Sequence, residues 1–356
     1  MTELQFTFLQ LVRLGTGLSK NIPPPNGIDW IELKNLANEQ GLHALVLDGA
    51  ELFLDGKPSK KVLPQWIGEV LLKESIYAKQ KTTAIEMAML FHDNGIRTYI
   101  LKGLVLSECY PKPEHRYSCD YDCFLLPNDN DFDAWKLGND LVCEKGYDVN
   151  LEHYKNSTFT LPGLTVENHQ FLTPFRGNKR LGSLERYLQT MLRDDTGGDR
   201  FDGTWLYRPP VMVTALFIIE HAYSHFLHEG LTWRHILDWM LFKQKRDKEI
   251  DWISFDNLID KYGFRKFYDS YSRLGLYLVG DIQEFSLCVQ DRLMLEDVWA
   301  PLDLHETVRG FKGKLALAGN TWRARWKYRY FTDMTWTKAL WIQVKGFLFM
   351  KNPKLS

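Results

Sequence analysis

The N-terminal region of the chain carries apolar residues at the spacing of short helices. Stretches such as "FTFLQLVRL" and "WIGEVLLKESI" repeat apolar residues every three or four positions, and clusters such as "NIPPPNG" separate them. This spacing places apolar side chains on one face of a helix, and proline and glycine interrupt helices. The pattern therefore predicts a helical region of short helices over residues 1–75.

Residues 76–175 follow a different pattern, in which helical and extended segments alternate. A helix candidate ends at Asn94-Gly95, a common signal for a helix C-terminus, and a second one follows Pro127 and ends at Gly146. The segments "IRTYILKG", "YSCDYDCFLLP", "YKNSTFTL" and "LTVENHQFL" have the composition of strands. The alternation predicts a small core of mixed α/β structure.

Helical spacing returns in the C-terminal half, in "PPVMVTALFIIEHAYSHFLHEG" and "TWRHILDWMLFKQKRD". We therefore predict a helical C-terminal region over 176–307, followed by a tail over 308–356. The expected fold class is α+β, with a small mixed sheet flanked by N-terminal helices and a helical C-terminal half.

The composition is that of a globular protein in a reducing compartment. Of the 356 residues 45% are apolar and 14% aromatic, enough for a substantial core. No run approaches the roughly 18 consecutive apolar residues that a spanning helix needs, and the start lacks the pattern of a signal peptide. The five cysteines are an odd number without a CxxC pair. We expect a cytoplasmic location, with peripheral membrane association left open.

The tail 308–356 is strongly basic, although the formal charge of the whole chain is −1. Its lysines and arginines alternate with aromatic residues, and the segment contains a single acidic residue, Asp333. Such a composition suits an anionic membrane surface or another polyanion, and less readily a nucleic acid. It equally suits a helix that docks its aromatic side chains on the acidic remainder of the chain.

Two aspartates stand one residue apart within an apolar run that is predicted to be a strand. Side chains alternate along a strand, so Asp120 and Asp122 point to one face while Cys119 and Cys123 point to the other. Neighbouring carboxylates repel each other unless a cation neutralises them. Carboxylate oxygens are the ligands that Mg²⁺ prefers, so a Mg²⁺ or Mn²⁺ site is one interpretation, and aspartates at an exposed strand end are the other.

Further residues with suitable chemistry lie on the neighbouring segments. Lys102-Gly103 ends the preceding strand candidate, where the absence of a Cβ atom lets a phosphate approach the backbone. In "LTVENHQFL" the side chains of Glu167 and His169 share one face. Metal-binding aspartates, a third carboxylate and a glycine turn are together typical of metal-dependent phosphoryl or nucleotidyl transfer.

The stretch "ILKGLVLSECYPKPEHRYSCDYDCFLLP" resembles the signature of the bacterial uncharacterised nucleotidyltransferase family, within the DNA polymerase β-like superfamily. "VENHQ" is similar to the family's Val-Glu-φ-His segment, where φ is apolar, and "HAYSHFLHEGLTWRHILDW" to its His-rich segment. The positions that match are Leu101, Lys102, Gly103, Tyr110, Pro111, Arg116, Asp120, Asp122, Val166, Glu167, His169, Arg234 and Asp238.

The resemblance implies that Asp120 and Asp122 hold Mg²⁺ with an NTP such as ATP, and that Glu167 is a third ligand or a base. Lys102, Gly103 and Arg116 would then bind phosphates. The implied reaction moves a nucleoside monophosphate to an unknown acceptor and releases pyrophosphate.

The sequence departs from the expected pattern at two positions. Cys119 replaces the glycine that the family has before the first aspartate, and Leu104 replaces the serine that the superfamily has after the glycine of its first turn. These departures keep open an alternative, a non-catalytic module that binds a nucleotide or partner.

Histidines cluster in the C-terminal half. His221 and His225 lie four residues apart on one predicted helix face, with His228 one turn further. Three interpretations stay open: these residues line the nucleotide or acceptor cleft with His169 and Arg234, they bind zinc, or they only pack between helices.

Overall fold

A computed structural model describes the chain over residues 1–18, 27–53, 58–118, 120–128, 131–300 and 322–349. Its contacts divide the chain into two compact units. The first unit comprises residues 1–70 and 218–340, and the second comprises 71–217 and 341–356.

The helices occupy most of the described chain. Their bounds are α1 Glu3–Gly15, α2 Trp30–Glu39, α3 His43–Glu51, α4 Val62–Asp93, α5 Leu104–Ser107, α6 Ala134–Glu144, α7 Lys179–Asp194, α8 Val211–His228, α9 Trp233–Arg246, α10 Trp252–Tyr262, α11 Arg265–Val279, α12 Val289–Trp299, α13 Arg325–Phe331 and α14 Trp336–Phe349. The boundaries between the units fall within α4, α8 and α14.

A single sheet forms the centre of the second unit. Its strands are β1 Ile96–Ile100, β2 Asp120–Pro127, β3 Val149–Asn150, β4 Asn156–Leu161, β5 Leu164–His169, β6 Asp199–Arg200 and β7 Leu206–Arg208. They lie in the order β3-β4-β5-β2-β1-β7-β6. β2 pairs with β5 in parallel, as β1 does with β7, and the other neighbours are antiparallel. The mixed sheet confirms the predicted α+β class.

One face of this sheet is covered by α4 and α6. Tyr121 and Cys123 of β2 and Val166 of β5 point into this core, where they meet Ala88 and Phe91 of α4. Because strand side chains alternate, burying these residues turns the intervening ones to the opposite face. The acidic positions of β2 and β5 therefore lie on the face that α4 and α6 do not cover.

The second unit extends beyond the predicted core of 76–175. β6 and β7 follow α7 in the chain and add to the sheet beside β1. These strands are two and three residues long, too short for a periodicity to be visible. At its N-terminal end, the predicted boundary at residue 76 lies within a helix. One uninterrupted helix, α4, replaces the two helices that the sequence predicts on either side of that boundary.

The first unit is helical and has an aromatic core. Trp233 and Trp239 are fully buried, and the Trp233 ring meets Trp299 edge to face with centroids 5.2 Å apart. The contact between α1 and α3 depends on glycine. A Cβ atom at Gly15 would lie 2.2 Å from the Leu45 carbonyl oxygen, so the backbones cross there without room for a side chain.

The described part of the basic tail forms α13 and α14. Within the first unit, Lys327 is buried, donates to the Phe226 carbonyl oxygen at 2.7 Å and pairs with Asp297. This packing corresponds to the docked-helix interpretation for α13. Residues 308–321 and 350–356 of the tail lie outside the described residues. Among the helices that the structure describes, none has the length and apolarity to cross a bilayer.

Candidate active site

The parallel pairing of β2 with β5 brings carboxylates of two strands together. In this register Asp122 lies opposite Glu167, and Phe124 lies opposite His169. Paired residues on neighbouring strands share one face of the sheet, and so do residues i and i+2 of one strand. Ligand atoms of Asp122, Glu167 and His169 accordingly lie within 4.8 Å of one another.

His169 links the two carboxylates. Its Nε2 atom lies 3.0 Å from Asp122 Oδ1 and 3.6 Å from Glu167 Oε2, while Nδ1 lies 3.2 Å from the Phe171 carbonyl oxygen. Carbonyl and carboxylate oxygens accept hydrogen bonds, so both ring nitrogens are placed to donate. Burial and Lys155 lower the pKa of His169, but its bonds to the carboxylates outweigh them, and the net shift is upward.

Asp122 is almost completely buried, with 1% of its surface exposed. Burial alone would raise its pKa, but the charge of Lys102 and the hydrogen bond from His169 hold the pKa well below its usual range. Lys102 Nζ lies 3.1 Å from Asp122 Oδ2. Asp122 therefore stays ionised, with the Lys102 ammonium and the His169 ring against its two oxygens.

Glu167 is the more accessible carboxylate of the cluster, with 32% of its side chain exposed. The hydrogen bond from His169 lowers its pKa, against the opposing effects of burial and the Asp122 charge. An ionised carboxylate that solvent reaches can take part in binding a cation or accepting a proton.

Asp120 lies at the start of β2, two residues before Asp122, and is paired with Thr165 of β5. The alternation of the strand places it on the face of Asp122, but its carboxylate is not among the atoms that lie within 4.8 Å. Asp120 is partly exposed. Cys119, the departure that precedes it, lies outside the described residues.

Comparison with known families places the chain in one of them. The model of a family described as uncharacterised nucleotidyltransferase matches residues 26–278. The chain belongs to this family. No curated protein and no solved structure matches it. The family assignment confirms the resemblance seen in the sequence and supports a nucleotidyltransferase activity in general.

The Lys102-Gly103 turn has a backbone conformation that only glycine adopts readily. Gly103 has φ 54° and ψ −108°, and a Cβ atom there would meet only ordinary contacts at 3.9 Å, so the requirement is conformational rather than steric. Arg116 is buried, and its Nη1 atom donates to the Gly103 carbonyl oxygen at 3.2 Å. Arg116 thus supports the turn from within.

A small pocket lies beside the turn. Gly103, Arg116 and Asp120 line it together with Ser118 and Gln80. Three of the residues predicted to act on the nucleotide therefore share one cavity wall.

Leu104, the second departure from the expected pattern, is buried. Its side chain belongs to the core that α4 and α6 form with the sheet. α5 is a helix of four residues, and Leu104 is its first. The leucine therefore serves packing, while the backbone of Gly103 keeps the turn.

Glu185 is a buried carboxylate that the sequence analysis missed. It lies on α7 with no exposed surface and accepts hydrogen bonds from the backbone amides of Leu172 at 3.0 Å and Thr173 at 2.7 Å. Burial raises its pKa despite these bonds. Its signal was visible, since Glu185 lies four residues after Leu181 on the apolar face of the helix.

The remaining predicted residues belong to the first unit. His221 and His225 lie on α8 and Arg234 lies on α9, whereas His169 belongs to the second unit. A third histidine that the analysis missed, His235, joins His221 and His225. In the sequence His235 is only a histidine next to Arg234. A loop separates it from His221 and His225, and spacing across a loop does not determine which residues meet.

Proposed function

We propose that the chain is a Mg²⁺-dependent nucleotidyltransferase that transfers a nucleoside monophosphate from an NTP to an acceptor. Membership of the family supports the general activity. The observation that carries the finer proposal is the register of β2 and β5, which pairs Asp122 with Glu167.

The residues of this cluster suit a hard divalent cation. Asp122 and Glu167 supply carboxylate oxygens, which Mg²⁺ and Mn²⁺ prefer. Lys102 Nζ and His169 Nε2 lie against the two oxygens of the buried Asp122, and a cation would take their place there. Asp122 and Asp120 would hold the ion, and Glu167 beside them is placed to act as the base. When bound, a divalent cation stabilises the negative charge that develops on the attacking and leaving oxygens.

The side chains of the site have distinct roles in this reaction. The acceptor hydroxyl oxygen attacks the α-phosphorus of the NTP, the bond from that phosphorus to the bridging oxygen breaks, and pyrophosphate leaves. Glu167, ionised and partly exposed, accepts the proton of the hydroxyl. Lys102 and Arg116 contribute positive charge near the phosphates.

The test begins with binding, because it requires no acceptor. Calorimetry with a non-hydrolysable analogue of each NTP should show binding that requires Mg²⁺ or Mn²⁺. Asp122→Asn and Glu167→Gln should weaken it, whereas Glu144→Gln, at an exposed residue of α6, should leave it unchanged. Nucleotide binding that needs no metal and is equal in all variants would contradict the proposal.

Turnover distinguishes the enzyme from the alternative, a nucleotide-binding module on the same fold. NTPs labelled at the α-phosphate are incubated with the protein, Mg²⁺ and separate pools of RNA, protein and small metabolites. Label transfer with pyrophosphate release, lost in Asp122→Asn, supports the enzyme. Metal-dependent binding without transfer to any pool supports the binding module, for which the burial of Leu104 in place of a phosphate-binding hydroxyl is the structural argument.

A further inference from the structure

Three histidines of the first unit converge at the turn between α8 and α9. One ring nitrogen from each of His221, His225 and His235 lies within 4.8 Å of the others. The ring centroids of His221 and His225 are 4.4 Å apart, and those of His225 and His235 are 5.1 Å apart. Each residue is partly exposed, so an ion from solvent can reach the cluster.

Local structure explains why these rings meet. His221 and His225 are one turn apart on α8, so their side chains share a face. The chain then reverses through Gly230, whose φ of 101° requires glycine. Thr232 caps α9 and its backbone amide bonds to the His235 ring at 3.1 Å, which holds the third histidine in the first turn of α9.

One of the other ring nitrogens, that of His225, has a partner that metal-binding histidines commonly have. His225 Nδ1 lies 2.9 Å from Glu229 Oε2, so Nδ1 carries the proton and Nε2 can bind an ion. A carboxylate in this position orients the ring and raises its basicity as a ligand. His235 Nδ1 lies 3.0 Å from Thr232 Oγ1. Without a metal, the Thr232 amide donates to Nδ1. If Nε2 binds a metal, the ring proton lies on Nδ1, which then donates to the Thr232 hydroxyl instead.

The ligand set determines the class of ion. Three imidazoles without a carboxylate ligand favour zinc, cobalt, nickel or copper over Mg²⁺, which prefers oxygen. We propose that His221, His225 and His235 form a site for a borderline divalent transition metal such as Zn²⁺, separate from the Asp122–Glu167 cluster. Three protein ligands leave a fourth position for water or another ligand.

Direct binding of Zn²⁺ tests the proposal without reference to activity. The full chain is stripped with EDTA and titrated with Zn²⁺ by calorimetry in a chelator-free buffer. One equivalent should bind, and His221→Ala and His235→Ala should each weaken it at least about 10-fold. His228→Ala, at an exposed histidine of the same helix, should bind as the wild type does, and Asp122→Asn, which removes a carboxylate of the other cluster, should keep the equivalent of Zn²⁺ that the two histidine variants weaken. Unchanged binding in the first two variants, or loss in Asp122→Asn, would overturn the assignment.

A second measurement uses the wild-type protein, in case a histidine variant does not fold. X-ray absorption at the zinc edge should give nitrogen or oxygen neighbours at about 2.0–2.1 Å with the outer-shell scattering of imidazole rings. Sulfur neighbours at about 2.3 Å, or the absence of imidazole scattering, would place the ion elsewhere and refute the proposal.

Discussion

Lys102 Nζ lies 3.1 Å from Asp122 Oδ2, on a carboxylate that is almost fully removed from water. Lys102 thus neutralises Asp122. Without a metal ion, Lys102 and His169 are the groups that stabilise the negative charge of this carboxylate. A divalent cation entering this cluster would compete with these two groups for the same oxygens.

Replacing Lys102 tests this charge balance. Lys102→Met leaves a buried carboxylate with one cationic partner, which we expect to lower the free energy of unfolding by about 3 kcal/mol. Mg²⁺ should restore part of the loss and raise the melting temperature more in the variant than in the wild type. Urea unfolding with and without Mg²⁺ measures both effects. Lys145→Met, at an exposed position of the same unit, is the control, and equal stability of the two variants would contradict the pairing.

The stability of the metal-free protein should depend on pH through His169. Its folded pKa is raised above the unfolded value, so its stabilising contribution is complete below about pH 6.5 and disappears as the pH rises through the folded pKa. Asp122 acts in the opposite direction: its lowered pKa makes its contribution complete above about pH 4, and the contribution is lost only as the pH falls through the folded value.

The variant His169→Gln isolates the first of these effects. In EDTA at pH 6 it should lose about 2 kcal/mol, the contribution of a charged hydrogen bond, and at pH 9 clearly less. Urea unfolding at both values of pH gives the difference, with His228→Gln as the control. A loss of the same size at pH 6 and pH 9 would show that the ring is neutral throughout.

Glu185 should stabilise the segment that follows β5. Glu185→Ala leaves the amides of Leu172 and Thr173 buried without their acceptor, and we expect a loss of about 3 kcal/mol. Glu185→Gln keeps one acceptor oxygen and should lose less. Hydrogen exchange at these two amides should rise in Glu185→Ala, because they lose their acceptor. The same segment carries the Phe171 carbonyl that orients His169. Arg193→Ala on the same helix is the control, and unchanged protection would mean that the segment is held elsewhere.

Introducing the superfamily's serine at residue 104 should not improve the site. Leu104→Ser removes a buried side chain from the core, so we expect a loss of about 3 kcal/mol, with no gain in nucleotide affinity. Leu104→Ala should be destabilised to a similar extent. Calorimetry with a non-hydrolysable NTP analogue and Mg²⁺ gives the affinity. Tighter binding by the serine variant alone would mean that position 104 faces the phosphates after all.

Much of the second unit follows from local signals in the sequence. β2 ends at Pro127, and β5 follows Pro162-Gly163, a dipeptide that is typical of turns. Gly163 has a φ of 79°, which explains why the turn signal is reliable. Short strands without a turn signal, β6 and β7, could not be predicted, because a few residues have no measurable period.

The chain by itself determined which side chains share a face. Asp120 with Asp122, and Glu167 with His169, follow from the alternation of a strand, since that alternation is a property of the backbone. Only the tertiary structure decided which of these pairs meet. The parallel register of β2 and β5 pairs Asp122 with Glu167 and leaves Asp120 opposite Thr165. Register depends on packing between segments far apart in the chain, which no local pattern encodes.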